Sequence, residues 1–322
     1  MQAIVHTTYG SPDSLELREV DKPVPKDDEV LIQVHASAVN DWEWALLRGK
    51  PVFMRAIGGV LKPKIRIMGC DVAGRVEAVG GNVKHLKAGD AVYGDLSESG
   101  FGGFAEYVCA PEESVAAKPR NVTYEQAAAI PHAGMLAQQG LTDIGRVDQV
   151  QTLLINGAGG GVGTLGVQLA KLHGVQVTGV DSGLKQDFMR SLGFDRVIDY
   201  TQTDFTRTGE SYDLILDAKT TRSPFAYPRA LKPNGTYVTV GGSMFRLLQC
   251  LAFGRWIART RHKNVRLLAL KPNKGLNDMT KLVEAGSVVP SIDAVYPLAE
   301  VPEALRRFGA AKHLGKIVIS MQ

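Results

Sequence analysis

The apolar residues of this chain follow two different periods, and the change falls near residue 121. Before that point, short alternating or apolar runs are separated by clusters of glycine, proline, asparagine and aspartate, which is typical of strands joined by turns. These runs cover residues 3–6, 30–38, 72–79, 91–93 and 104–109. The first 120 residues are therefore predicted to form mainly β-structure.

Beyond residue 121 the pattern alternates between apolar runs and helical periods. Thr123 is placed to cap a helix, with Gln126 three residues later, as in a capping box. The runs that predict strands cover residues 151–156, 175–180, 196–199, 213–217 and 236–240. Because strands and helices alternate, we expect a parallel sheet with helices on both faces, which places the fold in the α/β class.

The remaining patterned segments lie towards the C-terminus. Residues 276–285 and 302–308 have helical patterns, and residues 316–320 form an apolar run that predicts a strand. Residues 244–258 are apolar nearly all round a helix, although they contain two arginines. We interpret this segment as a helix that lines a cleft or an interface, with a membrane-surface role as an alternative.

A glycine-rich turn between the first two strands of the alternating part carries the clearest chemistry. An apolar strand runs into Gly157, Gly160 and Gly163, which are spaced by three, and an amphipathic helix follows. Glycines there let the backbone turn tightly and approach a pyrophosphate, whose charge the helix N-terminus attracts. Asp181 ends the next strand, where an acid can bind the ribose hydroxyls of a dinucleotide. The sequence therefore predicts a dinucleotide site.

Composition excludes several classes of protein. The chain has 322 residues, 44% of them hydrophobic and 22% charged, which suits about two globular domains. It contains no run of about 18 uncharged apolar residues, so we expect no transmembrane segment. The three cysteines lie far apart and favour a reducing compartment over a disulfide framework. No signal peptide is recognised, and we expect a cytoplasmic protein.

The net charge of +4 hides an uneven distribution. Residues 218–277 contain 12 of the 37 lysines and arginines and none of the 33 acidic residues. This segment could attract phosphate-bearing ligands, an anionic membrane surface or a partner, or it could be a solvated basic face. No nucleic-acid-binding motif is present, so we expect a small-molecule substrate and no nucleic acid.

Several short motifs, taken in order along the chain, resemble those of one family. They cover residues 38–40, 47–49, 69–74, 89–94, 103–107, 139–141, 160–163, 197–200 and 315–318. Together they make the chain resemble the zinc-free medium-chain dehydrogenases/reductases, in the quinone oxidoreductase (zeta-crystallin-like) branch, over essentially its whole length. The resemblance implies an active cleft between two domains and a homodimer.

The same resemblance implies the domain organisation. Residues 1–122 and 272–322 would form a GroES-like β-barrel catalytic domain. Residues 123–271 would form a Rossmann NAD(P)-binding domain with a doubly wound parallel sheet.

Cofactor residues also follow from the resemblance together with the glycine pattern. The expected set is Gly157, Ala158, Gly159, Gly160, Gly161, Val162, Gly163, Asp181, Ser182, Lys185, Tyr200 and Gly241. Lys185 and Tyr200 correspond to positions where relatives hold the 2′-phosphate of NADPH. Asp181 favours NADH instead, because its charge would repel that phosphate. We expect NADPH, with NADH possible because of Asp181.

The zinc-dependent relatives use metal ligands that this chain lacks. Asn40 stands at the position of their first zinc ligand and Cys70 at that of a histidine ligand, and three cysteines cannot form a four-cysteine zinc site. We therefore expect no metal. Asn40 is the predicted catalytic residue, as an amide donor, or else a turn-forming residue. Trp42 and Tyr93 are predicted to line the substrate or else to pack in the core, and no His–Asp relay is recognised.

The absence of a metal narrows the expected reaction. Hydride transfer to a quinone or an α,β-unsaturated carbonyl moves negative charge onto oxygen, where a weak donor or solvent can protonate it. Oxidation of an alcohol would need a group that removes the hydroxyl proton. We expect a zinc-independent, NAD(P)H-dependent oxidoreductase acting on quinones or α,β-unsaturated carbonyls. A cofactor-binding protein with little turnover and a zinc-free alcohol dehydrogenase remain alternatives.

Overall fold

The structure is a computed structural model that describes residues 1–52 and 54–321. The α-helices of these residues are α1 (Asp41–Arg48), α2 (Met54–Gly58), α3 (Tyr124–Ala128), α4 (Pro131–Gln139), α5 (Gly161–Lys171), α6 (Gln186–Ser191), α7 (Met244–Arg261), α8 (Leu276–Glu284) and α9 (Val301–Gly309). The strands are β1 (Gln2–His6), β2 (Leu15–Glu19), β3 (Glu29–Ala38), β4 (Asp71–Val79), β5 (Ala91–Asp95), β6 (Tyr107–Pro111), β7 (Ala116–Ala117), β8 (Thr152–Asn156), β9 (Gln176–Asp181), β10 (Arg196–Asp199), β11 (Tyr212–Asp217), β12 (Leu231–Thr239), β13 (Asn264–Leu267), β14 (Ile292–Pro297) and β15 (Lys316–Ser320).

The chain divides into two compact units. The first contains residues 1–132, 272–286 and 290–322, so it is assembled from both ends of the chain. The second contains residues 133–271 and 287–289. Each unit has its own sheet and its own buried apolar side chains.

The first unit is built on a seven-stranded mixed sheet. Its strand order is β14-β15-β3-β4-β5-β7, with β6 also paired to β3. β14 and β15 are parallel, and the other pairs of this sheet are antiparallel. The register places Val318, Ala38, Asp71 and Asp95 in one row across four neighbouring strands. This row positions the polar side chains described below.

The second unit is built on a six-stranded parallel sheet of order β10-β9-β8-β11-β12-β13. In sequence order this is the 3-2-1-4-5-6 arrangement of dinucleotide-binding domains, and the predicted parallel sheet is confirmed. The order reverses between β8 and β11, and ligands of such sheets bind beyond the carboxyl ends of the strands at that point. Asn156 and Asp217 end these two strands and pair with each other.

Most predicted strands are present, but two predictions need correction. The strand predicted at residues 236–240 begins earlier, because β12 starts at Leu231. The strand predicted at residues 104–109 is shifted to Tyr107–Pro111. The residues before it pair elsewhere, since the Phe104 N–H donates to Met68 O. The predicted capping box of Thr123 and Gln126 at the start of α3 is confirmed.

No helix among the described residues combines the length and the apolar character needed to cross a bilayer.

Candidate active site

The glycine loop predicted to bind a dinucleotide joins β8 to α5. Gly157 has φ +87°, which side chains disfavour. The N–H groups of Gly157 and Ala158 both donate to Val180 O, at 2.9 and 3.1 Å, and this fixes the loop to β9. Gly160 is the N-cap residue of α5, which begins at Gly161. Because the first N–H groups of a helix lack partners within it, this end of α5 suits an anionic group.

Two glycines of the motif serve different purposes. A Cβ at Gly163 would lie 2.4 Å from Ala158 O, so α5 can pack on the loop only without a side chain there. At Gly160 the nearest heavy atom would be 3.5 Å away, which is ordinary contact. Gly161 and Val162 complete the first turn of α5. Close packing therefore requires glycine at position 163 but not at position 160.

Asp181 ends β9 and is almost fully buried. Its Oδ2 accepts a hydrogen bond of 3.0 Å from Gly159 N, and its Oδ1 accepts one of 2.8 Å from Ser182 N. The Nζ of Lys185, which is also buried, lies 3.5 Å from Asp181 Oδ1. The carboxylate predicted to bind ribose hydroxyls is thus tied to the glycine loop and paired with a cation.

The other predicted cofactor residues lie near this end of the sheet. Ser182 directly follows β9. Tyr200 is half exposed, and its N–H donates to Asp181 O at 3.1 Å. Gly241 lies just beyond β12, and its carbonyl accepts a hydrogen bond of 3.1 Å from Thr239 Oγ1. These positions gather around the carboxyl ends of β9, β10 and β12.

A buried carboxylate, Asp217, organises the centre of the same edge. It accepts hydrogen bonds of 2.8–2.9 Å from Asn156 Nδ2, Lys219 N, Thr220 N and Tyr237 Oη. The Lys219 side chain passes beside the glycine loop, because a Cβ at Gly157 would lie 3.3 Å from Lys219 Cγ. Sequence reasoning missed this exposed lysine, which places a positive charge near the loop.

A buried polar cluster in the first unit forms where three strands are in register. Ala38 of β3 pairs with Asp71, and Asp71 pairs with Asp95. The two carboxylates lie side by side, and each is at most 1% exposed. Buried carboxylates need positive partners. Lys316 and His132 supply them.

Lys316, the first residue of β15, reaches into this cluster. Its Nζ lies 3.1 Å from Asp71 Oδ2 and also donates to Val39 O and Asn40 Oδ1. Asn40 Nδ2 donates to Asp71 Oδ2 at 2.9 Å and lies 3.2 Å from Cys70 Sγ. Both ends of the Asn40 amide, predicted to act as a donor to substrate, are therefore engaged within the protein.

His132, in the first turn of α4, pairs with Asp95. Its Nδ1 lies 2.8 Å from Asp95 Oδ2, and its backbone N–H donates to Asp71 Oδ1 at 2.8 Å. Burial alone would lower the pKa of His132, but the Asp95 carboxylate raises it above its ordinary value. Burial opposes ionisation of Asp95, but His132 lowers its pKa. The sequence showed no obvious His–Asp relay, because the fold joins residues 37 positions apart.

Glu43 links this cluster to α1. It is fully buried, and its carboxylate oxygens accept hydrogen bonds from Asn40 N at 2.7 Å and from Cys70 N at 2.8 Å. Burial raises the pKa of Glu43 to about 7 and raises that of the Cys70 thiol well above its ordinary value. α1 is absent from the sequence prediction. The spacing of Asn40 and Glu43 is that of a capping box, which could have revealed it.

The two predicted substrate residues differ in exposure. Trp42 is partly exposed and packs edge-on against Phe101, with the ring centres 6.1 Å apart. Tyr93 is fully buried, and its Oη lies 2.8 Å from Thr280 Oγ1 and 3.2 Å from Leu276 O in α8. Burial raises the pKa of Tyr93 to about 12. Tyr93 thus packs against α8 and presents no surface to a ligand.

Comparison with known families agrees with this architecture. Residues 26–120 match the family described as alcohol dehydrogenase GroES-like domain, and residues 192–319 match the family described as zinc-binding dehydrogenase. With the parallel sheet and the glycine loop, these matches define a medium-chain dehydrogenase/reductase with a GroES-like and a Rossmann-like part.

Individual relatives place the chain more closely. It is 30% identical to a chloroplast envelope quinone oxidoreductase homolog of Arabidopsis thaliana, over 99% of this chain and 98% of that protein. It is 32% identical to the chloroplastic NADPH-dependent alkenal/one oxidoreductase of the same plant, over 99% and 79%. The solved quinone oxidoreductase of Coxiella burnetii superposes with a TM-score of 0.87, at 28% identity over 100% and 99%. The chain belongs to the quinone oxidoreductase branch of the family.

The description of one matching family as zinc-binding calls for a test of the polar cluster. Cys70, Asp95 and His132 each offer a ligand atom, all within 4.8 Å of one another, and their types suit zinc. Both carboxylates already have basic partners, however, since Lys316 Nζ lies 3.1 Å from Asp71 Oδ2 and His132 Nδ1 lies 2.8 Å from Asp95 Oδ2. Zinc would have to displace the His132 proton and ionise Cys70, whose pKa burial raises. The existing pairs and the raised thiol pKa therefore disfavour a zinc ion at these residues.

Proposed function

We propose that this protein is an NAD(P)H-dependent reductase of quinones or α,β-unsaturated carbonyls. The observation that carries the proposal is a Rossmann glycine loop in the same chain as a buried His132–Asp95 pair, whose Nδ1 and Oδ2 lie 2.8 Å apart. The two Arabidopsis relatives, named as a quinone oxidoreductase homolog and an alkenal/one oxidoreductase, support this substrate class.

Each part of the chain has a role in this proposal. The bound nucleotide would supply hydride to the substrate. The loop of residues 157–163 would hold its pyrophosphate, with Lys219 adding positive charge beside the loop. Reduction leaves negative charge on the substrate, which then takes up a proton. His132 is the proposed donor, and because Asp95 is bonded to Nδ1, the proton available for transfer is on Nε2. Asn40 is proposed to position this cluster.

The reaction is tested with a panel of quinones, enones and alcohols, and turnover is measured as the change in NADPH absorbance. Oxidation of NADPH by quinones or enones is the expected result. Nucleotide binding without turnover of any substrate would contradict the proposal and favour a cofactor-binding protein. Oxidation of alcohols alone would favour a zinc-free alcohol dehydrogenase. Trp42→Ala should raise KM for aromatic substrates, because we propose that this partly exposed ring contacts them.

NADPH is the proposed nucleotide. Lys185 lies next to Asp181 and offsets the charge that would otherwise repel a 2′-phosphate. We expect Lys185→Met to weaken NADPH binding more than NADH binding, and Asp181→Ser to shift the ratio of dissociation constants towards NADPH. Titration of both nucleotides measures this ratio. If the unmodified protein binds NADH about tenfold more tightly than it binds NADPH, the proposal is contradicted.

Catalysis without zinc is also proposed. It rests on the charge balance of the cluster, in which Lys316 supplies a positive charge within bonding distance of Asp71. Elemental analysis of the purified protein, and activity measured after dialysis against a chelator, test this point. We expect substoichiometric zinc and unchanged activity. Stoichiometric zinc whose removal abolishes activity would be the contrary result.

We further propose that the two compact units are the catalytic domain and the nucleotide-binding domain. A cytoplasmic homodimer that pairs through the edge strand β13 is proposed as well. β13 pairs with β12 and ends the order of the parallel sheet. Sedimentation velocity of the protein, with Val265→Pro as the variant that interrupts β13, tests the assembly. Fluorescent tagging in cells tests the proposed cytoplasmic location. The alternatives are the chloroplast and the mitochondrion, which appear in the names of several relatives.

A further inference from the structure

The long helix α7 has two apolar sides. Its buried residues Cys250, Gly254 and Ile257 recur at intervals of four and three, and they face the core of the second unit. Gly254 packs closely on β13, since a Cβ there would lie 2.8 Å from Val265 O. Phe225 also packs on α7, with its ring centre 5.1 Å from that of Phe253 and 5.9 Å from that of Trp256. These contacts and the packing against the sheet still leave part of the helix surface exposed.

The opposite side of α7 exposes large apolar side chains. Phe245 and Leu248 are 65% and 57% exposed, Leu251 is 66% exposed, and Trp256 is 51% exposed. Phe245, Leu248 and Trp256 lie on one face of the helix, because three and eight residues separate them. Single exposed apolar residues are ordinary on a protein surface, but a contiguous group of this kind marks an interaction site.

Three arginines stand beside this group. Arg255 and Arg259 on α7 and Arg266 on β13 line a groove of about 630 Å³ between the helix and the strand, together with Leu251 and Leu267. None of the three makes an ion pair with any residue that the structure describes. The whole segment 218–277 contains no acidic residue. Guanidinium groups that lack acidic partners suit phosphate oxygens, which they bind with two parallel hydrogen bonds.

We propose that α7 and the groove beside it dock on an anionic membrane surface. The arginines would bind lipid phosphates, and Phe245, Leu248 and Trp256 would enter the boundary between headgroups and acyl chains. Charge complementarity selects this occupant. The dimer proposed above pairs the main chain of β13 edge to edge. A second copy placed on α7 by a two-fold contact would instead bring arginines against arginines, because segment 218–277 contains no acidic residue. A free phosphate would leave the apolar side chains uncovered.

The test is flotation of the full-length protein with vesicles in a buffer without phosphate. One set contains phosphatidylcholine alone, and the other also contains phosphatidylserine. We expect binding to the anionic vesicles only, and weaker binding as salt is added, because salt screens the attraction. Brominated phosphatidylcholine in the anionic vesicles should quench part of the tryptophan fluorescence, and Trp256→Phe should abolish that quenching.

Paired variants locate the surface. Arg255→Gln with Arg259→Gln should weaken partitioning about thirtyfold, since each basic residue near an anionic surface contributes about fivefold. The matched control is Arg146→Gln with Arg207→Gln, two exposed arginines of the same unit outside the basic segment. That control should lose little. Leu248→Ser should also weaken binding, whereas Leu172→Ser, at another exposed leucine, should not.

Several results would overturn the proposal. One is equal binding to both kinds of vesicle. Another is an equal loss of vesicle binding in the double arginine variant and in its control. If inorganic phosphate binds in the arginine groove and the protein does not bind vesicles, the groove is a site for a free anion. Sedimentation showing that the arginine variant changes the oligomeric state of the free protein would assign the surface to a second copy. Binding to an acidic or phosphorylated protein but not to vesicles would assign it to a protein partner.

Discussion

Replacement of Lys316 by methionine tests the charge balance of the buried cluster directly. Methionine keeps most of the length and apolar volume of the lysine chain but removes the ammonium group. The Lys316 side chain is 5% exposed and that of Asp71 is fully buried, so water cannot replace the lost partner. Asp71 would keep the hydrogen bonds from Asn40 Nδ2 and His132 N, but it would lose its nearest cation.

The size of the effect follows from this burial. Removal of one partner of a buried ion pair costs about 3–5 kcal/mol, because it leaves an uncompensated charge in a medium of low polarity. Lys316→Met and Asp71→Asn should each lower the free energy of unfolding by about this amount. The double variant carries neither charge, so we expect it to lose about 3 kcal/mol less than the sum of the two single losses.

Urea unfolding measures these differences. In a Trp256→Phe background, the fluorescence of Trp42 and Trp44 reports on the first unit alone. The matched control is the exposed pair Lys281–Asp278 of the same unit, at 2.8 Å, whose single and double substitutions should change stability by about 0.5 kcal/mol or less. Additive losses at Lys316 and Asp71, or losses no larger than those of the control, would refute the assigned charge balance.

The remaining predictions concern the glycine loop and the histidine pair. Gly163→Ala should abolish or greatly weaken nucleotide binding in calorimetry, because its Cβ would collide with Ala158 O. Gly81→Ala, where an added Cβ meets nothing within 4 Å, should keep the affinity, and equal losses would contradict this prediction. The raised pKa of His132 means that the folded state binds the proton more tightly than the unfolded state does. The stability that protonated His132 contributes to the folded state is therefore complete below about pH 6.5, and it is lost as the pH rises through the raised pKa of His132. The urea midpoint and kcat of the parent protein should both fall as the pH rises through this range, and both should change less in His132→Gln. Parallel pH profiles of the two proteins would exclude His132 as a source of pH-dependent stability and as the proton donor.

Local pattern was sufficient for most of the parallel-sheet unit. β8 to β11 are short apolar runs flanked by turn residues, and each was predicted within one or two residues of its observed bounds. Right-handed crossover connections restrict the possible orders of these strands in the sheet, but they do not determine the observed order β10-β9-β8-β11. The glycine loop could be read because its residues are adjacent in sequence and its requirement, the absence of a Cβ, is local.

The polar cluster could not be predicted in this way. Asp71, Asp95, His132 and Lys316 come from four distant segments, and nothing in their own neighbourhoods indicates that they meet. Sequence reasoning therefore assigned Asn40 alone as the catalytic residue. Only the register of β3, β4 and β5, which depends on long-range pairing, brings the two carboxylates into one row.

A cation supplied by the chain differs physically from a bound metal. Lys316 belongs to β15, whose residues Val318 and Ser320 pair with β3, so its charge lies beside Asp71 only when the two ends of the chain have joined. A metal site would couple its charge to metal concentration and pH. The Lys316 charge is instead coupled to folding, because unfolding is the step that separates it from Asp71. If the proposed reduction depends on this cluster, activity should therefore follow the folded fraction of the first unit and be independent of the supply of metal.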